Sequence, residues 1–495
     1  MKLKVKDVDI RTGGPLICIL SEIDADKMDL HNGDRVKITS KGKIETVLIN
    51  IGESKKAVCP GHIGLYEEVL DSLGVVHNDN VEMIPARKPL SLDFIKRKLD
   101  GYKLSKEQIG QIVWDVVNNK LTGVELTYFV AACYLNELDV HETVFLTKAM
   151  ASHGNILRLN RSVIADKHCI GGVAGNRTTM VIVPILAAAG VTIPKTSSRS
   201  ITSPAGTADT MEVLANVCIP LERMKKVVQK TNGCIVWGGA LNLAPADDKI
   251  IRVERPLLID AKSQLLASVM AKKASVSASH LLIDIPTGKG SKLPDVRKAR
   301  QLKQDFICLA GKLGIKSHVI ITDGKEPVGN GIGPALEARD VLWTLEGDGP
   351  LDLRKKCLMM AGILLEMAGK AKKGEGQWLA QEILESGKAL EKMKEIIEMQ
   401  GKIATEPSQI KLGKIRLDVA AKTKGVVSEI SNRAISKIAR VAGAPECKGA
   451  GIYLHKHVGD KVKKGENIYT VFCHDKGKLD FVKYAVENLD GFLIS

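Results

Sequence analysis

The chain has 495 residues, 44% of them hydrophobic and 26% charged, a balance ordinary for a globular protein and, at roughly 100–200 residues per domain, room for about three domains. The formal charge of +15 points to an anionic partner. That partner is nucleic acid or a phosphorylated small molecule; the lysines are spread along the chain and no basic run is interleaved with aromatics, which argues against nucleic acid, but charge alone does not decide. The N-terminal MKLKVKDVDI is not an apolar leader and no run reaches ~18 apolar residues, so a cytoplasmic protein with no membrane partner is expected. Ten cysteines lie far apart with no CxxC or zinc spacing, which reads as free thiols without a metal.

In chain order, residues 1–86 read as a small β-rich domain. Its strands are Lys2–Ile10, Leu16–Leu20, Arg35–Thr39 and Lys43–Ile49, punctuated by Arg11-Thr12-Gly13-Gly14 and His31-Asn32-Gly33-Asp34. Residues 87–160 carry helical periodicity over Ser91–Leu99, Ser105–Asn118, Gly123–Asn136 and Val140–Ser152, with Ser91, Ser105 and Thr122 as start signals. Residues 246–278 include the helical segment Lys262–Ala278, expected to return to this subdomain. The remainder, 161–245 and 279–495, alternates strand, glycine turn and helix. Ser162–Ala165 is a short strand, Gly171–Arg177 a glycine loop and Thr178–Ala189 a helix. Leu281–Ile285 and His318–Thr322 are buried strands around a helix over Asp295–Leu313. The fold class is therefore α/β with a mostly parallel sheet. Gly425–Ile430 and Gly451–His455 mark strands of an α+β C-terminal part.

Four segments carry chemistry. Asp166-Lys167-His168-Cys169-Ile170-Gly171-Gly172-Val173-Ala174-Gly175-Asn176-Arg177-Thr178-Thr179 runs from strand through a glycine loop into a helix, which suits an anion: backbone N–H groups approach closely and the helix terminus adds its dipole. A Walker loop is excluded, because Ile170 stands where the first glycine belongs and Asn176 where the lysine does. A second polar loop, Lys195 to Asp209, is rich in Ser and Thr. It follows the next strand, where ligands of open α/β sheets bind. The third segment places Asp260 at a helix start, with Ser268 and Lys272 one turn apart on one face. The fourth, Asp284 to Lys292, is a glycine turn after a buried strand, with Lys289 and Lys292 facing a second phosphate or water. Capping, solvated surface and a ligand-free turn are the plain alternatives at each position.

Together these segments resemble the thymidine/pyrimidine-nucleoside phosphorylase family. Its Lys-His-Ser-x-Gly-Gly-Val loop is matched by Lys167 to Val173, and its Ala-Ser-Ile-x-x-Lys-Lys helix by Ala267 to Lys273. The likeness runs from about residue 88 onward with order and spacing kept. Two positions depart: Cys169 replaces a serine and Ser203 a histidine. The Ser-Arg-x-Ile-Thr-Ser-x-x-Gly-Thr form of the second loop, with a β-rich domain ahead, is similar to the archaeal AMP phosphorylase branch.

That resemblance implies phosphorolysis of a nucleoside 5′-monophosphate to free base and ribose 1,5-bisphosphate, which feeds a route to ribulose bisphosphate. It implies Asp260 as proton donor to the leaving base. Lys167, Gly172, Thr179 and Thr207 would surround the attacking phosphate, and Ser198, Arg199, Ser200, Ile201, Thr202 and Ser203 would hold the nucleotide. Ser268 and Lys272 would lie near the base and Lys292 near the 5′-phosphate. No cofactor is expected, closure between the helical and α/β parts is implied, and so is a homodimer or larger homo-oligomer. A phosphorylase acting on unphosphorylated nucleosides is the alternative. An anthranilate-phosphoribosyltransferase-like enzyme shares the architecture but requires magnesium, and no carboxylate-rich motif for it stands out.

Overall fold

The computed structural model describes residues 1–200, 203–257 and 261–495, apart from the side chains of 255 and 257. Two compact units divide the chain. The first comprises Met1–His153 with Ala244–Ser268, and the second Gly154–Leu243 with Val269–Ser495.

In the first unit the leading segment closes into a six-stranded barrel of Lys2–Asp7, Ile17–Ser21, Arg35–Ser40, Lys43–Gly52, His62–Leu65 and Asn80–Pro85. Alternation drives it: Leu3 and Val5 point inward while Lys2 and Lys4 face water. Four of these strands are expected from the sequence. His62–Leu65 has only four residues and no alternation, and Asn80–Pro85 ends in proline, so neither carries a legible period.

Helices Ser91–Leu99, Lys106–Val117, Gly123–Leu135 and Val140–Ser152 follow, and Pro245–Leu257 packs against the second and third. Ser105 and Thr122 are N-caps, each closing a capping box with Gln108 and Glu125. Ser91 is not a cap: it lies inside its helix, fully buried, and Leu90 takes the cap position. Arg35 of the barrel donates to Glu125 at 2.6 Å and to the Lys120 carbonyl at 3.1 Å, so a capping-box carboxylate also ties barrel to helices.

The second unit is built on parallel strands. Ala165–Cys169, His280–Thr287 and Lys316–Asp323 form one sheet with His280–Thr287 central, and Ile193–Ser197 pairs in parallel with Gly233–Trp237. A parallel bridge from Ile164 to Thr192 links the two groups. Every residue of His280–Thr287 is buried, as a strand covered on both faces requires.

Two strand expectations are corrected. The strand expected over Ser162–Ala165 lies over Ala165–Cys169, because sheet pairing overrides the weak strand preference of Asp166, Lys167 and His168. The strand at His318–Thr322 is only partly buried: it edges its sheet, and Val319 alone of those residues is fully covered. The helix Val296–Lys312 agrees with its expectation, capped by Asp295.

Helices Thr178–Ala188, Pro334–Glu346, Leu351–Met367, Gly376–Glu385 and Lys388–Gln400 contribute to the main core of this unit. A separate core lies in the C-terminal part, beneath the antiparallel strands Gly331–Ile332, Gly451–Leu454, Asn467–Cys473 and Ile415–Ala420 and around the helix Asn432–Val441. The helix Lys262–Ser275 crosses the division between units at Ser268, before the expected limit at 278.

The first unit yields a stability prediction. Lys98 and Glu142 form a buried pair at 3.0 Å, and Glu142 also accepts N–H bonds from Leu104 and Asp139, each at 2.9 Å. Glu142→Ala strands the Lys98 ammonium and is expected to cost about 3–5 kcal/mol in urea unfolding; a loss below about 1 kcal/mol, the range of an exposed pair, contradicts this role.

Candidate active site

The strand Ala165–Cys169 delivers its residues alternately to two sides. On one, Lys167 is buried and its Nζ donates to Thr178 Oγ1 at 2.8 Å, at the start of the helix Thr178–Ala188. Between them the loop folds back sharply. Gly172 has φ +89, and a Cβ there would lie 2.1 Å from the Lys292 backbone nitrogen, so only glycine lets the 288–292 turn approach. Asn432 fixes the same loop, accepting the Ala174 N–H at 3.0 Å and donating to the Gly324 carbonyl at 3.0 Å. Thr179 is buried on the first turn, where N–H groups lack intrahelical acceptors. The structure thus brings Lys167, Gly172, Thr179 and the backbone of Lys292 to one strand–loop–helix junction; the Lys292 side chain is exposed.

On the other side Asp166 is fully buried. Its Oδ2 lies 2.8 Å from Lys273 Nζ and its Oδ1 3.5 Å from Lys195 Nζ. Burial opposes its ionisation, but the charges of Lys195 and Lys273 outweigh that and hold the carboxyl below its usual range. Burial pushes Lys195 down to about 7; Asp166 resists the shift while Lys273 and Lys167 add to it. His168 is driven well below its ordinary value by burial and then by Lys273, Lys195, Lys272 and Lys167, so its imidazole is neutral at pH 7. Cys169, where the resembled family carries a serine, has its thiol pushed up by burial and by Asp284. It accepts from Asn176 Nδ2 at 3.4 Å as a neutral thiol.

The second loop is pinned by carboxylates. Asp209 accepts the Ser200 N–H at 2.7 Å and the Gly206 N–H at 2.9 Å. A Cβ on Gly206 would fall 2.6 Å from the Ser198 carbonyl oxygen. Arg199 forks onto Glu212, reaches Asp209 at 3.2 Å and stacks over Trp237 with 4.9 Å to the ring centroid. The hydrogen bonds from Arg199, reinforced by Lys448, pull the Glu212 carboxyl down to about 2. Ser200 and Ser203 bond each other, and Ser203 donates to the Ala205 carbonyl at 3.0 Å. Arg177, at the end of the first loop, reaches across to Thr207 Oγ1 at 3.1 Å and the Ala205 carbonyl at 2.7 Å, while pairing with buried Glu337. Thr207 and the second loop are thereby fastened to the first.

Of the remaining expected residues, Lys272 is half-buried close enough to His168 to depress its ionisation. Ser268 is half-buried and belongs to the other unit. Asp260, Ile201 and Thr202 lie outside the described residues. Asp166, Arg177, Lys195, Asp209 and Lys273 lie within the segments read as carrying chemistry but receive no role from the sequence, and Trp237 and Glu337 lie outside those segments. The pairing of Asp166 with Lys195 and Lys273 joins distant segments and leaves no local signal. Among the described residues no group of three or more His, Cys, Asp or Glu side chains is arranged to hold a metal.

The depressed Lys195 makes a pH prediction. Between pH 7 and about 10.4 the unfolded chain holds a proton on this lysine that the folded chain lacks, so its contribution to stability rises with pH across that window. Lys195→Met is expected to remove the rise: in urea unfolding the variant's stability relative to wild type is greatest at pH 7 and shrinks by pH 9.5. A variant whose stability relative to wild type rises from pH 7 to pH 9.5 contradicts it.

Comparison with known proteins matches this layout. The helical bundle domain of the glycosyl transferase family matches residues 92–154, its a/b domain residues 161–390, and the pyrimidine nucleoside phosphorylase C-terminal domain residues 426–489. The AMP phosphorylases of Thermococcus sibiricus and Pyrococcus furiosus are each 48% identical over 97% of this chain and 95% of their own. That of Methanocella arvoryzae is 44% identical over 99% of this chain and 97% of its own. Anthranilate phosphoribosyltransferase from Thermus thermophilus superposes with a TM-score of 0.54 at 19% identity, covering 62% of this chain and 99% of its own, a likeness of fold. With identity of this order sustained over nearly the full length, the chain belongs to the archaeal AMP phosphorylase family, within the thymidine/pyrimidine-nucleoside phosphorylases.

Proposed function

We propose that this protein catalyses phosphorolysis of AMP, converting AMP and phosphate to adenine and ribose 1,5-bisphosphate. The observation that carries the reading is the strand–loop–helix junction at Lys167, an anion cradle in a chain 43–48% identical to AMP phosphorylases. An oxygen of inorganic phosphate attacks C1′ as the bond from C1′ to the base nitrogen breaks. The bonding pair leaves with the base, and the charge that develops on its nitrogen is met by a proton. Lys167, Gly172, Thr179 and Thr207 hold the attacking phosphate: one buried ammonium, N–H groups at a helix start and two hydroxyls.

The Ser198–Ser203 loop holds the nucleotide. Arg199 serves it from behind, because its guanidinium is occupied by Glu212, Asp209 and Trp237. Asp260, by its match to the family position, donates the proton, which requires a carboxyl kept neutral by burial. Ser268 and Lys272 attend the base and Lys292 the 5′-phosphate. The neutral imidazole of His168 adds no charge beside Lys167, and the phosphate pairs with the ammonium of Lys167. A homo-oligomer accompanies this reading. Val124, Tyr128 and Leu135 stand exposed at helical spacing on Gly123–Leu135, beside a hollow lined by Leu92, Ile95, Leu99 and Tyr128 together with Lys96 and Glu125, the kind of patch that marks an interface.

Phosphate-dependent adenine release is expected to be at least about tenfold faster from AMP than from adenosine, the margin of one charge-assisted hydrogen bond. Asp260→Asn is expected to lower the AMP rate by roughly 10²–10⁴. Equal rates from the two substrates would identify a nucleoside phosphorylase instead, and no release from either would overturn phosphorolysis. In light scattering the wild-type chain is expected as a dimer or larger and Tyr128→Glu as a smaller species; a monomeric wild type contradicts the interface.

A further inference from the structure

We propose that Asp166 is a positioning residue of the phosphorolysis site, holding in mutual register the three segments that carry the phosphate and nucleotide contacts; this rests on the function proposed above. Its carboxylate reaches each segment at, or within three residues of, the residues at work. Oδ1 accepts the backbone N–H of Lys167 at 2.7 Å, which sets the peptide from which the phosphate-facing ammonium departs. Oδ1 also faces Lys195, on the strand Ile193–Ser197 that ends at the Ser198–Ser203 loop. Oδ2 pairs with Lys273, the helix neighbour of Lys272.

A stability device would not be built this way. One buried carboxylate faces two buried ammonium groups, with a third on Lys167, and such clusters are often less stabilising than apolar packing. Among the described residues, the charged and titratable groups around Lys195 are Asp166, Lys167 and His168 from one strand, Lys273 from the helix, and Cys234 from the strand Gly233–Trp237. None of these besides Asp166 carries a negative charge at neutral pH, and the Cys234 thiol is raised by burial. Lys195 also donates to the Thr196 carbonyl at 2.6 Å, so within this described cluster its one charge partner is Asp166. Removing that one side chain releases all three segments together.

Simple electrostatics and positioning make opposite forecasts for Asp166→Asn. Deleting a negative charge beside an anion site tightens phosphate binding if the residue is a bystander. If it positions Lys167, binding weakens despite the gained positive charge, by roughly tenfold or more, as a displaced contact group implies.

The test is calorimetric titration of the full-length chain with inorganic phosphate, with circular dichroism to establish that each variant is folded. Weaker binding by folded Asp166→Asn supports the proposal, and unchanged or tighter binding overturns it. Should Asp166→Asn fail to fold, Lys195→Met decides. It cuts the tether to the second loop and is expected to raise KM for AMP severalfold, by more than it weakens phosphate binding; an unchanged KM overturns the proposal. Phosphate titration needs no turnover, so a wild-type chain that binds phosphate but releases no adenine sinks the proposed reaction alone. A wild-type chain that binds no phosphate sinks both.

Discussion

In the dry space between the strands Ala165–Cys169 and Ile193–Ser197, one carboxylate is shared between two ammonium groups, and Lys167 leaves the same strand on its opposite side. Positive charge in excess of negative charge is costly to bury. The cluster is tolerable because the surrounding chemistry lowers that charge in stages: Lys195 titrates near neutrality and His168 is held uncharged. What remains is the ammonium of Lys167, which donates to Thr178 Oγ1 at the start of the helix Thr178–Ala188. On the proposed function, that residual charge is what a phosphate dianion pairs with.

Order in the loops has a separate source. The second loop carries several hydroxyls and little hydrophobic surface, and packing cannot hold such a segment. Three carboxylates do so instead. Asp209 gathers N–H groups from both ends of the loop, Glu212 holds Arg199, and Glu337 holds Arg177, which in turn grips Ala205 and Thr207. Arg199 and Arg177 therefore function as struts. An arginine within a substrate loop is readily taken for a ligand-binding group, but here the guanidinium of Arg199 is already satisfied by two acids and an indole face. Preorganisation of this kind lowers the entropy lost when substrate arrives.

Much of the fold is legible in local pattern. The helices of the bundle carry their own start signals, and the capping boxes at Ser105 and Thr122 show why. The strand Ala165–Cys169 is misplaced by pattern alone because its polar residues Asp166, Lys167 and His168 look unlike a strand. Glycine positions of the first loop are legible as such, since only close backbone approach explains a run of them, and Gly172 against the Lys292 backbone bears this out. Illegible are the pairings across long sequence separations. Asp166 with Lys273, Arg177 with Glu337 and Asn432 with Ala174 join residues from distant segments, and no local period encodes such contacts. Asp260, on which the acid role rests, is legible through its motif and lies outside the described residues.

The central claim is that phosphate, and not water, takes the ribosyl group. The most direct measurement is phosphorus NMR of the reaction of AMP with inorganic phosphate, followed alongside adenine release. The account predicts that inorganic phosphate disappears in equal amount to the adenine formed, and that the sugar product carries two phosphate resonances, one of them at C1. Adenine released with inorganic phosphate unchanged and ribose 5-phosphate as product would contradict it, showing that the site performs hydrolysis.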